Sequence, residues 1–203
     1  MSRLSPLLAG VLLSAFVAGC KSHPLTDYRP LDKAGFWSSS IEDLKTLHVG
    51  NAEIAQVVSL KAAGVSDDMC ISLVRAAHEH QHPFASATSA AKLNAAGFSD
   101  DQILAIAKND QLDALSEDAV MLRLVGLSDP TVELILKRRM HGLPTISSAQ
   151  IGRLKNTGLP EKEILKRIES GMTDAQADAE ASAREKARAH AGTGFVRVRG
   201  RRR

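Results

Sequence analysis

Apolar residues along the middle of the chain fall at helical spacing and are punctuated by one recurring turn. Leu60-Lys61-Ala62-Ala63-Gly64-Val65-Ser66-Asp67 is echoed by Leu93-Asn94-Ala95-Ala96-Gly97-Phe98-Ser99-Asp100. The pattern returns at 122–129, around Gly126, and at 154–161, around Gly158, so that the glycines lie 33, 29 and 32 residues apart. Such periods belong to helical repeat proteins. Each position has a physical reason. Glycine suits the left-handed residue that closes a helix, and the leucine four before it meets the apolar residue after it in a Schellman cap. Ser66, Ser99 and Ser128 then sit as N-caps of the next helix, with acidic residues in its first turn. Gln102 is placed to complete a capping box with Ser99, and Pro130 falls where a missing N–H is harmless. Ile103 and Ile106, Val132 and Ile135, and Ile164 and Ile168 give each second helix its apolar face.

A degenerate copy precedes these, with Leu44, His48, Val49, Ile54 and Val57 in matching places and His48 at the glycine position. Histidine tolerates left-handed backbone better than most residues. Ser86 or Thr88, Ser116 and Ser147 read as N-caps of the first helix of a pair. Pro83, the 110–115 stretch and Gly142-Leu143-Pro144 separate the pairs. The pattern predicts an all-α fold of eight or nine helices, arranged as tandem hairpins of about 30 residues, compact or solenoid-like. The expected divisions are a signal segment over 1–19, a tether over 20–40 and the repeat domain over 41–171. A charged Ala-rich helix over 172–191 and a basic tail over 192–203 complete the chain. The Ala-rich helix has too few large apolar residues to predict firm docking. In the tether, Tyr28, Phe36 and Trp37 lie against the domain or at a membrane interface.

Aromatic residues make up only 3% of the chain, so the core must be built from aliphatic side chains and alanine. Cys70 stands where other copies carry aliphatic residues and reads as a small core residue. The formal charge of +3 is uneven. Eight cations oppose Glu185 alone within 184–203, which leaves the region from Cys20 to Ala183 mildly acidic. Arg197, Arg199, Arg201, Arg202 and Arg203 are too densely charged to pack without partners, and the composition predicts a disordered tail apart from a marginal strand at 195–199. These arginines suit an anionic lipid surface or a cell-wall polymer, or act as a solubilising end.

Arg3, the apolar stretch from Leu7 to Val17 and the small residues Ala18 and Gly19 have the layout of an export signal, too short to span a bilayer. Val17-Ala18-Gly19-Cys20 resembles the lipobox of bacterial lipoproteins. That resemblance implies cleavage before Cys20, a covalent lipid on its thiol and amine, and a cell-envelope location. Lys21, where an aspartate would favour retention at the inner membrane, points to the outer membrane. Several acyl chains hold a protein far more firmly than one. No other cofactor is implied, and Cys70 is left without a disulfide partner. Residues 41–170 also resemble bacterial envelope proteins of unassigned function, in which a Leu-x-x-x-Gly-Val-Ser-Asp-x-x-Ile hairpin recurs.

Two segments resemble chemical motifs. His78-Glu79-His80-Gln81-His82 contains H-E-x-x-H, which in zincins places two histidines on a metal and a glutamate on its water. Pro83 disfavours helical geometry at His82, and no third ligand follows at a family spacing. Residues 124–138 resemble a helix-hairpin-helix DNA motif, but Ser128 stands where that motif needs glycine. Lys137, Arg138 and Arg139 then read as cations at a helix C-terminus, with no nucleic-acid partner. The expectation is a lipid-anchored, non-enzymatic scaffold that docks another envelope protein. The alternative is a metal-dependent envelope hydrolase using His78, Glu79 and His82.

Overall fold

The structure, a computed structural model, describes residues 25–194. Cys20 and its lipobox, the strand expected at 195–199 and the arginines from Arg197 to Arg203 lie outside the described residues. Eleven helices make up the fold among the described residues: α1 (Arg29–Lys33), α2 (Ser38–Thr46), α3 (Asn51–Ala62), α4 (Asp67–Glu79), α5 (Ala87–Ala95), α6 (Asp100–Ala107), α7 (Leu112–Leu124), α8 (Asp129–Met140), α9 (Ser148–Asn156), α10 (Glu161–Glu169) and α11 (Asp174–Gly194). The protein is all-α, as the periodicity predicts. The odd-numbered helices pack successively from α1 to α11 in one layer. In the other layer α2, α4 and α6 pack in succession, while α8 and α10 lie on α7 and α9.

Both kinds of turn use left-handed backbone. Within hairpins the residue is always glycine, at 35, 64, 97, 126 and 158, with φ between 77 and 82°. Between hairpins it is His48, Gln81, Asp110, Gly142 or Gly171. The 6→1 bond of the Schellman cap closes glycine turns from Val65 N to Leu60 O (3.1 Å) and from Phe98 N to Leu93 O (3.1 Å). The same bond closes the other turns, from His82 N to Ala77 O (3.3 Å) and from Gln111 N to Ile106 O (3.2 Å).

The first hairpin begins earlier than its sequence suggests. Gly35 is its glycine, Phe36 N donates to Leu31 O, and both Leu31 and Phe36 are buried. The expected tether over 20–40 therefore contributes α1 and the start of α2 to the array. His48 is left-handed, as proposed, but it closes a turn between hairpins rather than within one. Leu31-Asp32-Lys33-Ala34-Gly35-Phe36 is the first copy of the repeat, half a period upstream of the register read from His48.

The predicted caps hold in part. Ser66 accepts from Met69 N, and Ser99 and Gln102 form the capping box. Ser147 caps α9 by accepting from Gln150 N. Ser86 precedes α5 without a side-chain cap, and Ser128 turns its hydroxyl to Glu161 instead. Ser116 is not a cap: it is buried within α7, which starts at Leu112.

Leu44, Ile54, Leu60, Leu73, Leu93, Ile103, Leu122, Ile135 and Leu154 fill the space between the layers. Each such side chain contributes about 1.5–3 kcal/mol by leaving water. Cys70 is fully enclosed among them, and burial pushes its thiol up to about 12, so it behaves as an inert core residue. Firm docking of α11 departs from expectation. Ala177 and Ala181 are fully buried, and small methyl faces let α11 approach α9 closely. Ion pairs flank that seam, joining Arg153 to Asp178 and Glu185 and Arg167 to Glu180.

Candidate interaction surface

The glycine turns are stitched to one another by residues at fixed offsets. From Gly64 onward, the polar side chain three residues before each of these glycines reaches back to the preceding turn. Asn94 donates to Ala63 O, Lys155 to Gly126 O, and Arg123 lies 4.3 Å over the Phe98 ring. Arg188 on α11 repeats the act at the last turn, donating to Asn156 O at 2.9 Å. A cation at the carboxyl end of a helix also offsets its dipole.

Six residues further on, an acid starts the second helix. Lys61 pairs with Asp67, Arg123 with Asp129 and Lys155 with Glu161. Two of these acids also accept a backbone N–H from the preceding hairpin, Trp37 N at Asp67 (2.9 Å) and Ser128 N at Glu161 (3.1 Å). Burial pushes the Glu161 carboxyl up, but hydrogen bonds from Lys155, Ser128 and Thr131 outweigh it and hold the group at about 2. These groups pair with one another and hold repeats together, although Arg123 Nε is buried without a partner. The Ser128 hydroxyl at the DNA-motif position belongs to this network, donating to Glu161 at 2.6 Å.

The histidine segment serves the other edge. Helix α4 ends at Glu79, and Gln81 takes φ 62°. That turn separates the two histidines of the H-E-x-x-H. His78 Nε2 donates to buried Glu53 at 2.7 Å, upstream, while His82 Nε2 donates to Asp110 at 2.8 Å, downstream. Glu53 also accepts from Gly50 N and Phe84 N, which together with His78 keep its carboxyl low against the opposing effect of burial. His82 faces an oxygen on each ring nitrogen, with Pro83 O at 3.1 Å on Nδ1. Only the imidazolium donates to both, and its pKa is raised accordingly, by the Pro83 carbonyl first and Asp110 next. Glu79 lies instead beside a shallow groove between α4 and α6 with Arg75 and Lys108. Among the described residues no group of three or more His, Cys, Asp or Glu side chains is arranged to hold a metal ion.

Lys137, Arg138 and Arg139 close α8. Lys137 pairs with Glu133, and Arg138 donates to Pro144 O. Arg139 is half-buried against Asp118 and donates to Ile146 O at 2.8 Å. Burial pulls the Arg139 pKa down, while Asp174 acts in the opposite direction.

One opening lies where α8 fails to close on α6. It is a groove of about 300 Å³ lined by Ala105, Ile106, Leu136 and Met140 together with Asp101 and the ion-paired Glu133 and Lys137. Helix α6 has only eight residues, and Ala105 offers a short side chain there, so little fills the gap. On α7, Leu124 is 74% exposed and Met121 46%, and Leu124 lines a separate opening of about 290 Å³ with Val120 and Leu127. The groove has no counterpart in the sequence expectations, because it depends on the spacing of two helices rather than on a residue pattern.

A scan against protein-family models and a search of curated proteins both find no match to this chain.

Proposed function

We propose that the protein is a lipid-anchored, non-enzymatic envelope scaffold, with Cys20 carrying the anchor and the hairpin array docking another envelope protein. The observation that carries this reading is the groove between α6 and α8, where Ala105, Ile106, Leu136 and Met140 offer an apolar lining bordered by Asp101 and the Glu133–Lys137 pair. Polar groups along both edges are engaged in holding repeats together, which suits a platform better than a reaction centre. Arg197, Arg199, Arg201, Arg202 and Arg203 would add contact with an anionic lipid or cell-wall polymer at the outer membrane. No helix among the described residues is long and apolar enough to cross a membrane, so on this reading attachment falls to the lipid. The hydrolase alternative gains no support from His78 and His82, whose partners lie in different repeats.

Photo-crosslinking in living cells tests the scaffold reading. A crosslinker at Ala105, in the groove, should yield a discrete protein adduct, whereas one at exposed Ala55 on α3 should not. Identical patterns from the two positions would contradict it. Stoichiometric zinc in the purified protein, lost in His82→Ala, would instead favour the hydrolase.

A further inference from the structure

We infer that Trp37 is an interfacial membrane anchor that lays the N-terminal end of the array on the bilayer; this deepens the proposed function and rests on lipid attachment at Cys20.

The aromatic side chains of this end have separate fates. Phe36 is buried, and the Tyr28 hydroxyl donates to Val49 O at 3.4 Å. Trp37, the only tryptophan of the chain, is 74% exposed. Its neighbour Phe36 docks into the core, while Trp37 N is tied to Asp67 at 2.9 Å, so the indole stands outward from a fixed backbone. The other strongly exposed apolar residue here is Leu25, at 96%. Leaving an indole and a leucine in water is unfavourable, whereas both suit the headgroup region, where tryptophan is enriched.

The length of chain before the fold supplies the geometric argument. Five residue steps separate Cys20 from Leu25, which allows at most about 18 Å. A lipidated Cys20 would thus keep the array close to the bilayer surface. Helix α1 has five residues and is about 7.5 Å long, so it carries the chain only a short way from Arg29 to Lys33. When α1 lies along the surface, the turn at its far end brings Trp37 to the interface. The exposed face of α1 carries Arg29, paired with Asp27, and Asp32 and Lys33, so it is a mixed-charge surface whose arginine and lysine stems can lie along lipid while their charges remain among headgroups. The groove between α6 and α8, several helices further along the array, then stands clear of the bilayer surface.

Because Trp37 is the only tryptophan, its fluorescence reports this contact alone. The full mature chain would be purified with its lipid and placed in vesicles of phosphatidylethanolamine and phosphatidylglycerol, with and without bromine on the acyl chains. Mass spectrometry of the same sample would read the acyl groups on Cys20. The expected result is an acylated protein with blue-shifted emission, quenched about twofold by the brominated lipid, as an interfacial indole requires. An acylated protein whose Trp37 is untouched by brominated lipid and freely quenched by acrylamide would overturn the interfacial role and leave the anchor intact. A chain without acyl groups on Cys20 would overturn both.

Discussion

The two families of turn reach the same backbone geometry by different means. Within hairpins every left-handed position is glycine, from Gly35 to Gly158. Between hairpins the first three are His48, Gln81 and Asp110, and only the last two are Gly142 and Gly171. A left-handed conformation costs an ordinary L-residue roughly 1–2 kcal/mol. At the second family that cost is borne where side chains from neighbouring repeats hold the turn. Glu53 gathers His78 and Phe84 N around the turn at Gln81, and Asp110 is held by His82. Polar side chains of neighbouring repeats brace both kinds of turn, but the turns at Gln81 and Asp110 rely on them without the backbone freedom that glycine supplies.

The comparison is broken most severely by attacking each kind of turn at its own support. Gly97→Val would force a β-branched residue to φ +81°, and it should destabilise by about 2–3 kcal/mol in a thermal or denaturant melt. An unchanged transition would mean that this glycine does not carry the turn. Glu53→Ala leaves His78, Gly50 N and Phe84 N without their shared acceptor, and should cost about 2 kcal/mol. Retention of full stability there would show that polar partners are not what hold the second kind of turn.

Acid sharpens the contrast further. The folded Glu161 carboxyl sits at about 2, below its ordinary value of 4.5, so its stabilisation is present above 4.5 and lost as pH falls towards 2. Glu161→Gln should therefore flatten the fall in melting temperature over that interval; an unaltered acid profile would remove Glu161 from the stitching of glycine turns. His82 works in the opposite sense. Its folded pKa is raised, so its contribution is full below the unfolded value and disappears as pH rises through the folded one. Asp110→Asn should reduce that dependence slightly near neutral pH, since the pair is exposed and solvent screens it. An identical profile for the variant would show that Asp110 does not favour the imidazolium.

Legibility in the sequence followed the same division. The glycine turns could be read because one residue type recurs with a leucine four before it and an apolar residue after it. The other turns recur at the same spacing but vary in residue, so they were marked only by Pro83, the 110–115 stretch and Gly142-Leu143-Pro144. His48 was legible as left-handed, yet its half-period offset could not be told without the packing of α1. Leu31 to Phe36 carries the repeat signature, but it is short and set among the proline and aromatic residues of a presumed tether. Docking of α11 was hidden because Ala177 and Ala181 bury little surface individually and succeed through close approach. The H-E-x-x-H was visible as letters, whereas Gln81 φ and the partners Glu53 and Asp110 decide where its histidines go. The groove between α6 and α8 had no sequence signal.

A reciprocal exchange tests most directly whether the two families of turn share one geometry. Gln81→Gly relieves a left-handed glutamine, and Gly97→Gln installs one where the nearest atom to the new Cβ, Arg123 Nη1, is 3.6 Å away and space is ample. Melting curves of the two variants should shift in opposite directions, Gln81→Gly upward and Gly97→Gln downward, each by about 1 kcal/mol. Shifts of the same sign would contradict the shared geometry on which the hairpin array is built.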